Sequence, residues 1–229
     1  MRNPFCDLTR FERALYVVSL ILVTGSFLLS FPRDYLSWIA SLIGVTALIF
    51  VAKGYVIGQI LTAVFALIYG IVSYDLHYYG EMITYLGMTL PISVFALISW
   101  LRNPFKDNKA EVKVNSISKK ETIFMLICAV AVTVLFYFIL KYFNTANILP
   151  STLSVTTSFI AVYLTFRRSP LFALAYASND IVLIVLWIMA SIYDTRYISV
   201  VICFVSFMVN DVYGYISWQK MKIRQNNEL

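Results

Sequence analysis

Apolar residues run almost unbroken through eight stretches of this chain, approximately 13 to 31, 36 to 52, 54 to 74, 79 to 101, 121 to 141, 148 to 166, 171 to 193 and 197 to 218. Each is long enough to cross, as a helix, a hydrocarbon layer about 30 Å thick. Barrel strands alternate apolar and polar over about ten residues, whereas these runs are continuous, so the pattern predicts an all-α integral membrane protein with eight transmembrane helices. Composition agrees. The 229 residues are 60% hydrophobic and 13% charged, against roughly 45–50% and about 25% in soluble domains. No stretch is left for a soluble domain.

The first apolar run follows Arg10, Glu12 and Arg13 without a small-x-small cleavage site, so it reads as a retained span rather than a signal peptide. Charge then sets the orientation. If the N-terminus is inside, fifteen of the eighteen Lys and Arg fall on inner segments, and only Arg33, Lys141 and Arg196 fall outside. That is the positive-inside pattern for eight spans, with both termini cytoplasmic. The net charge of +6 thus reports topology and a lipid bilayer as partner, with no nucleic acid implied. Trp38, Trp100 and Trp218 sit at span ends, as interfacial aromatics do. Cys6, Cys128 and Cys203 are scattered and form neither a redox pair nor a metal pattern.

The longest polar stretch, 102 to 120, divides the chain. The predicted organisation is a tail and accessory span (1–34), a first three-helix unit (35–101), a cytoplasmic loop (102–120), a linker span (121–147), a second three-helix unit (148–218) and a cytoplasmic tail (219–229). Phe50-Val-Ala-Lys-Gly54 and Phe166-Arg-Arg-Ser-Pro170 close the first spans of the two units, and Ile98-Ser-Trp100 and Ile216-Ser-Trp218 end them, at offsets of 116 and 118 residues. One linker span between two such units gives them the same orientation, a parallel repeat of the kind found in SWEET sugar transporters.

Polar residues inside spans are costly and normally face the protein interior or a water-filled cavity. The third span carries Gln59, Thr62, Tyr69 and Ser73 on one face; the seventh carries Tyr176, Asp180 and Trp187 with Asn179 alongside; the eighth carries Ser206, Asn210, Tyr213 and Ser217 with Asp211 at the edge. The fourth begins with Glu81, followed by Thr84, Tyr85 and Met88. Tyr69, Tyr85, Trp187 and Tyr213 offer rings for stacking, and Gln59, Asn179, Asp180, Asn210 and Asp211 offer hydrogen bonds to hydroxyls or an amide. A positively charged ring would favour the aromatic faces.

Ser206, Ser217, Thr62 and Ser73 read better as groups that join helices than as ligand contacts. Glu81, near a span end, is open between a solvated position and a gating or structural one; Pro91 is a kink in the fourth span; His77 is a loop residue. The chain has no phosphate-binding G-x-x-x-x-G-K-[ST] loop, no H-E-x-x-H and no G-x-S-x-G, so neither ATP coupling nor enzymatic catalysis is expected, and no cofactor or metal. A proton relay through Asp180 and Asp211 stays open. So does a sensor or assembly protein whose polar residues only join helices.

Three sets of residues resemble the PnuC family of vitamin B3 transporters. They are Gly58-Gln59 through Tyr69-Gly70; Tyr79-Gly-Glu-Met82 with Ile98-Ser-Trp100 and Asn103-Pro-Phe105; and Ser178-Asn-Asp180, Trp187 and Asn210-Asp-Val-Tyr-Gly-Tyr215 with Trp218. The resemblance covers roughly 36 to 220. It implies a three-plus-one-plus-three SWEET-like core and uptake of nicotinamide riboside by facilitated diffusion, a uniporter whose solute is retained by cytosolic phosphorylation. It also implies a homotrimer, and a substrate site of Gln59, Tyr69, Asn179, Asp180, Trp187, Asn210 and Asp211. Tyr176 stands where some such carriers have tryptophan. Related carriers take thiamine, deoxynucleosides or sugars, so the transport class is fixed more firmly than the solute.

Overall fold

The computed structural model describes residues 4–29, 35–75, 79–106, 108–145 and 147–228; Arg2, Arg33 and His77 lie outside them. Eight spans are present as expected. Helix α1 covers Arg10–Leu29, α2 Tyr35–Ala52, α3 Val56–Asp75, α6 Lys119–Tyr142, α7 Ile148–Phe166, α8 Leu171–Ser191 and α9 Ile198–Asn227. The fourth span is composite, with α4 (Tyr79–Ile83), a π-helical turn (Thr84–Thr89) and α5 (Leu90–Leu101). Pro91 explains the composite form. It has no N–H, and in a regular helix its ring would press on the carbonyl four residues back, at Gly87. The chain widens instead, with the Leu90 N–H bonding the Tyr85 carbonyl five residues back.

The turn joining α2 to α3 and the turn joining α7 to α8 are built identically. Lys53, Gly54 and Tyr55 donate backbone N–H groups to the carbonyls of Ile49, Val51 and Phe50. Arg167, Arg168 and Ser169 donate to Tyr163, Thr165 and Leu164, 114 residues further on at every position. Both are Schellman-type helix ends with a left-handed residue, Gly54 at φ 69° and Arg168 at φ 57°. The equivalence therefore pairs Gly54 with Arg168, and the two phenylalanines that matched at an offset of 116 are out of register by two residues.

At this end of the molecule, which holds the basic segments, the two halves grip each other. The Trp218 indole, at the end of the eighth span, donates to the Val51 carbonyl at 2.8 Å, and the Trp100 indole, at the end of the fourth, donates to the Thr165 carbonyl at 2.9 Å. Val51 and Thr165 are equivalent positions in the two turns. The two indoles meet with ring centroids 5.3 Å apart, Phe172 lies edge-on to Trp218, and neither tryptophan is exposed.

The polar linker is not a plain loop. Strands β1 (Pro104–Phe105) and β2 (Asn108–Val112) form a short antiparallel ribbon. Val112 N–H then bonds the Gly54 carbonyl, and Asn115 N–H bonds the equivalent Arg168 carbonyl. Gln225, on the extension of α9, accepts from Val114 N–H and donates to Glu111 and Val112. Glu121 pairs with Arg167, and Glu111 with Arg224.

Helix α1 starts with a capping box between Thr9 and Glu12. Glu12 is buried, pairs with Lys53 at 3.2 Å and accepts from Tyr213 at 2.8 Å. The Tyr55 hydroxyl donates to Asp7; burial and the neighbouring Asp7 push this phenol up to about 12, so it remains a donor. Helix α6 packs on α7 through Thr133 and Thr156, 2.6 Å apart, and exposes Ile123, Ile127, Val130, Val134 and Phe138 on a face suited to lipid.

Trp218→Phe removes one indole donor and part of a buried ring, and is expected to cost about 2–3 kcal/mol. Trp38→Phe, at a half-buried indole with a long 3.4 Å bond to Thr24, should cost under about 1 kcal/mol. Denaturant unfolding in detergent checks the difference; equal losses would mean that the reciprocal bonds are incidental.

Candidate functional site

The end opposite the basic one is open. A cavity of about 670 Å³ enters between the fourth span, the α6–α7 connection and the outer parts of α7, α8 and α9, within the size range of small-molecule sites. Its walls are the side chains that the start of the fourth span, the polar α6–α7 connection and the 3₁₀ turn after α8 bring together.

Of the residues expected from sequence, Glu81, Tyr85 and Trp187 line it. Tyr69 stands behind Tyr85, with ring centroids 4.7 Å apart. Asn179 holds one wall: its side-chain oxygen accepts from Thr157 at 2.8 Å and from Ser158, itself a lining residue, at 3.1 Å. Trp187 packs against Tyr197 at 5.1 Å, and burial pushes the Tyr197 phenol up, which keeps it a donor.

A second polar group lies deeper, away from the lining. Asp180 and Asp211 are buried side by side, and one Asp180 oxygen has no hydrogen-bond partner. Tyr85 lines the cavity, whereas Asp180 and Asp211 do not. Gln59 is buried near the basic end of α3. Pro91 acts through the π turn that carries Tyr85.

Three expected residues are directed elsewhere. Tyr213 donates to Glu12, and Asn210 donates to Ser19 at 2.9 Å, so both face α1. Tyr176 lies edge-on to Phe172, toward the basic end, with Thr165 beside its hydroxyl. Helical periodicity correctly placed these residues on buried faces, but α1 is what covers two of them.

The α7 wall was missed. Ser151, Ser154 and Ser158 line the cavity, and their spacing of three and four is the same signal that marked the other spans. Asn144, Thr145 and Asn147 join them from the connection, and Tyr193 and Asp194 from the turn after α8. Among the described residues no cluster of side chains suits a metal ion.

Comparison with known proteins is consistent with this geometry. A family model described as nicotinamide mononucleotide transporter matches residues 34–220. A nicotinamide riboside transporter PnuC of Neisseria mucosa is 24% identical over 232 residues, covering 99% of this chain and 88% of that protein. Its namesake in Haemophilus influenzae is 23% identical over 196 residues, covering 85% and 84%. A solved structure described as the crystal structure of the vitamin B3 transporter PnuC superposes with a TM-score of 0.82 at 23% identity, over 96% of this chain and 94% of that one. It shows the same fold.

The open cavity makes a chemical prediction. In a protein with its native cysteines replaced, Ser154→Cys should react with a membrane-impermeant maleimide from the face opposite the basic end, and Ser206→Cys should not. Equal labelling at both positions would contradict the burial of Ser206 away from the cavity lining.

Proposed function

The chain belongs to the nicotinamide mononucleotide transporter family, whose model spans residues 34–220, and from that premise we propose that it carries nicotinamide riboside, the solute named for its two relatives, across the cell membrane. Membership makes it a membrane transporter and not an enzyme.

The charge of the cavity carries the choice of solute. Among the described residues its lining includes two carboxylates, Glu81 and Asp194, and no Lys, Arg or His. A phosphate ester needs cationic or backbone N–H partners and is repelled by carboxylates. A nucleotide is therefore a poor fit, whereas a riboside with a positively charged pyridine ring fits. Tyr85, Trp187 and Tyr197 supply aromatic faces for the ring, and Ser151, Ser154, Ser158 and Asn147 supply hydroxyls and an amide for the ribose.

In this proposal the two units at 35–101 and 148–218 rock as bodies about the linker span. The identical turns and reciprocal indole bonds support their equivalence, with the same orientation and a SWEET-like relation. The basic end is cytoplasmic, by the positive-inside rule, and both termini lie there. The state described here is then closed toward the cytoplasm and open to the outside. Transport is facilitated diffusion, with the solute retained by cytosolic phosphorylation, and the assembly is a homotrimer, which the mass of the purified protein–detergent complex would test.

Purified protein in liposomes should equilibrate labelled nicotinamide riboside without ATP or an ion gradient. Nicotinamide mononucleotide should compete at least about tenfold more weakly, the equivalent of one misplaced charge worth roughly 1.4 kcal/mol. Preference for the mononucleotide, or for thiamine in a thermal-shift panel, would overturn the choice of solute; dependence on a proton gradient would overturn the uniport.

A further inference from the structure

We infer that Glu81 is the residue that selects the charge of the solute, acting as counter-ion to its cationic ring; this rests on the reading of the solute as a pyridine riboside. Glu81 lines the cavity at the entry to the fourth span. Among the described residues it makes no hydrogen bond or ion pair. The other acidic groups near the cavity differ: Asp194 is engaged in its own contacts, and Asp180 is buried against Asp211 outside the lining. Glu81 is half-buried in a membrane span, where a carboxylate without a partner is costly and marks a functional site.

The surroundings define that partner. Among the described residues the lining offers no Lys, Arg or His that would already neutralise the carboxylate. Tyr85 lies one turn further along the same span, and its ring is braced from behind by Tyr69 at 4.7 Å. A carboxylate beside an electron-rich ring face favours a flat organic cation, because both attract positive charge and the ring also excludes water. The π turn adds to the selection. It carries Tyr85 and crosses α3 closely, since a methyl group at Gly70 would collide with the Leu86 side chain. The distance between Glu81 and the Tyr85 ring is thereby held by packing rather than by a flexible loop.

Two ligands of nearly the same shape separate charge from fit: nicotinamide riboside, a cation, and its uncharged dihydropyridine form. Affinity of the reconstituted protein is measured for both in wild type, Glu81→Gln and Glu81→Asp. Wild type should prefer the cation by about tenfold or more. Glu81→Gln should bring the ratio near one, chiefly by weakening the cation, and Glu81→Asp should restore part of it. Unchanged binding of the uncharged form shows in the same experiment that the variant is folded.

A wild-type ratio near one, or a ratio that survives Glu81→Gln, overturns the inference while leaving transport of the riboside standing. Equal loss of both ligands in Glu81→Gln and Glu81→Asp overturns it in favour of a structural role. If wild type binds neither ligand, the reading of the solute falls, and this inference with it.

Discussion

The structure turns on two hydrogen bonds, each from a tryptophan indole to a backbone carbonyl in the opposite half of the molecule. Helix ends leave carbonyls without intrahelical partners, and in a membrane protein water cannot be relied upon to satisfy them. Trp218 reaches Val51 and Trp100 reaches Thr165, carbonyls that each turn already bonds once, so each half supplies a second donor to the helix end of the other. Because the exchange is reciprocal, the two halves are fixed at one relative angle at this end, with the indoles in contact between them. The linker reinforces the arrangement, since Val112 and Asn115 satisfy the equivalent carbonyls of Gly54 and Arg168. One segment of chain thus spans both turns.

That concentration of bonds at one end leaves the other free. The linker ribbon, the Glu121–Arg167 and Glu111–Arg224 pairs and the side chain of Gln225 all lie at the basic end. The opposite end has the polar walls of a cavity and no comparable stitching among the described residues. For a carrier that alternates, the closed end must be held firmly enough to block leakage and weakly enough to open. Hydrogen bonds to linker and indoles suit this, because each contributes about 1 kcal/mol net and can be exchanged for water once that end opens.

Much of this was legible in the sequence because length and apolarity decide membrane spans almost alone. Pro91 is readable as a distortion, although its form as a π turn is not, since that depends on the Leu90 N–H reaching back to the Tyr85 carbonyl. The ribbon at 104–112 was invisible: its pairing uses backbone groups and Gln225, far away in sequence. The site was partly legible. Periodicity finds a polar face but does not say which neighbour covers it, so Asn210 and Tyr213 were assigned to the solute although Ser19 and Glu12 receive them. The α7 serines were missed although they obey the same spacing.

Those two residues give the first span a physical reason to exist. The family model begins at residue 34, so α1 lies outside the segment it matches, but the similarity to the solved structure covers 96% of the chain and takes α1 in. Ser19 and Glu12 are both 2% exposed, and they meet polar groups on α9 that would otherwise face hydrocarbon, where an unsatisfied amide or hydroxyl costs several kcal/mol. Glu12 also takes Lys53 from the α2–α3 turn. A single carboxylate therefore ties α1 to the first half through Lys53 and to the second through Tyr213. Polar residues on α9 and their partners on α1 support each other: removing either leaves the other buried without its interhelical partner, so the first span and the polar face it covers are best understood as one unit.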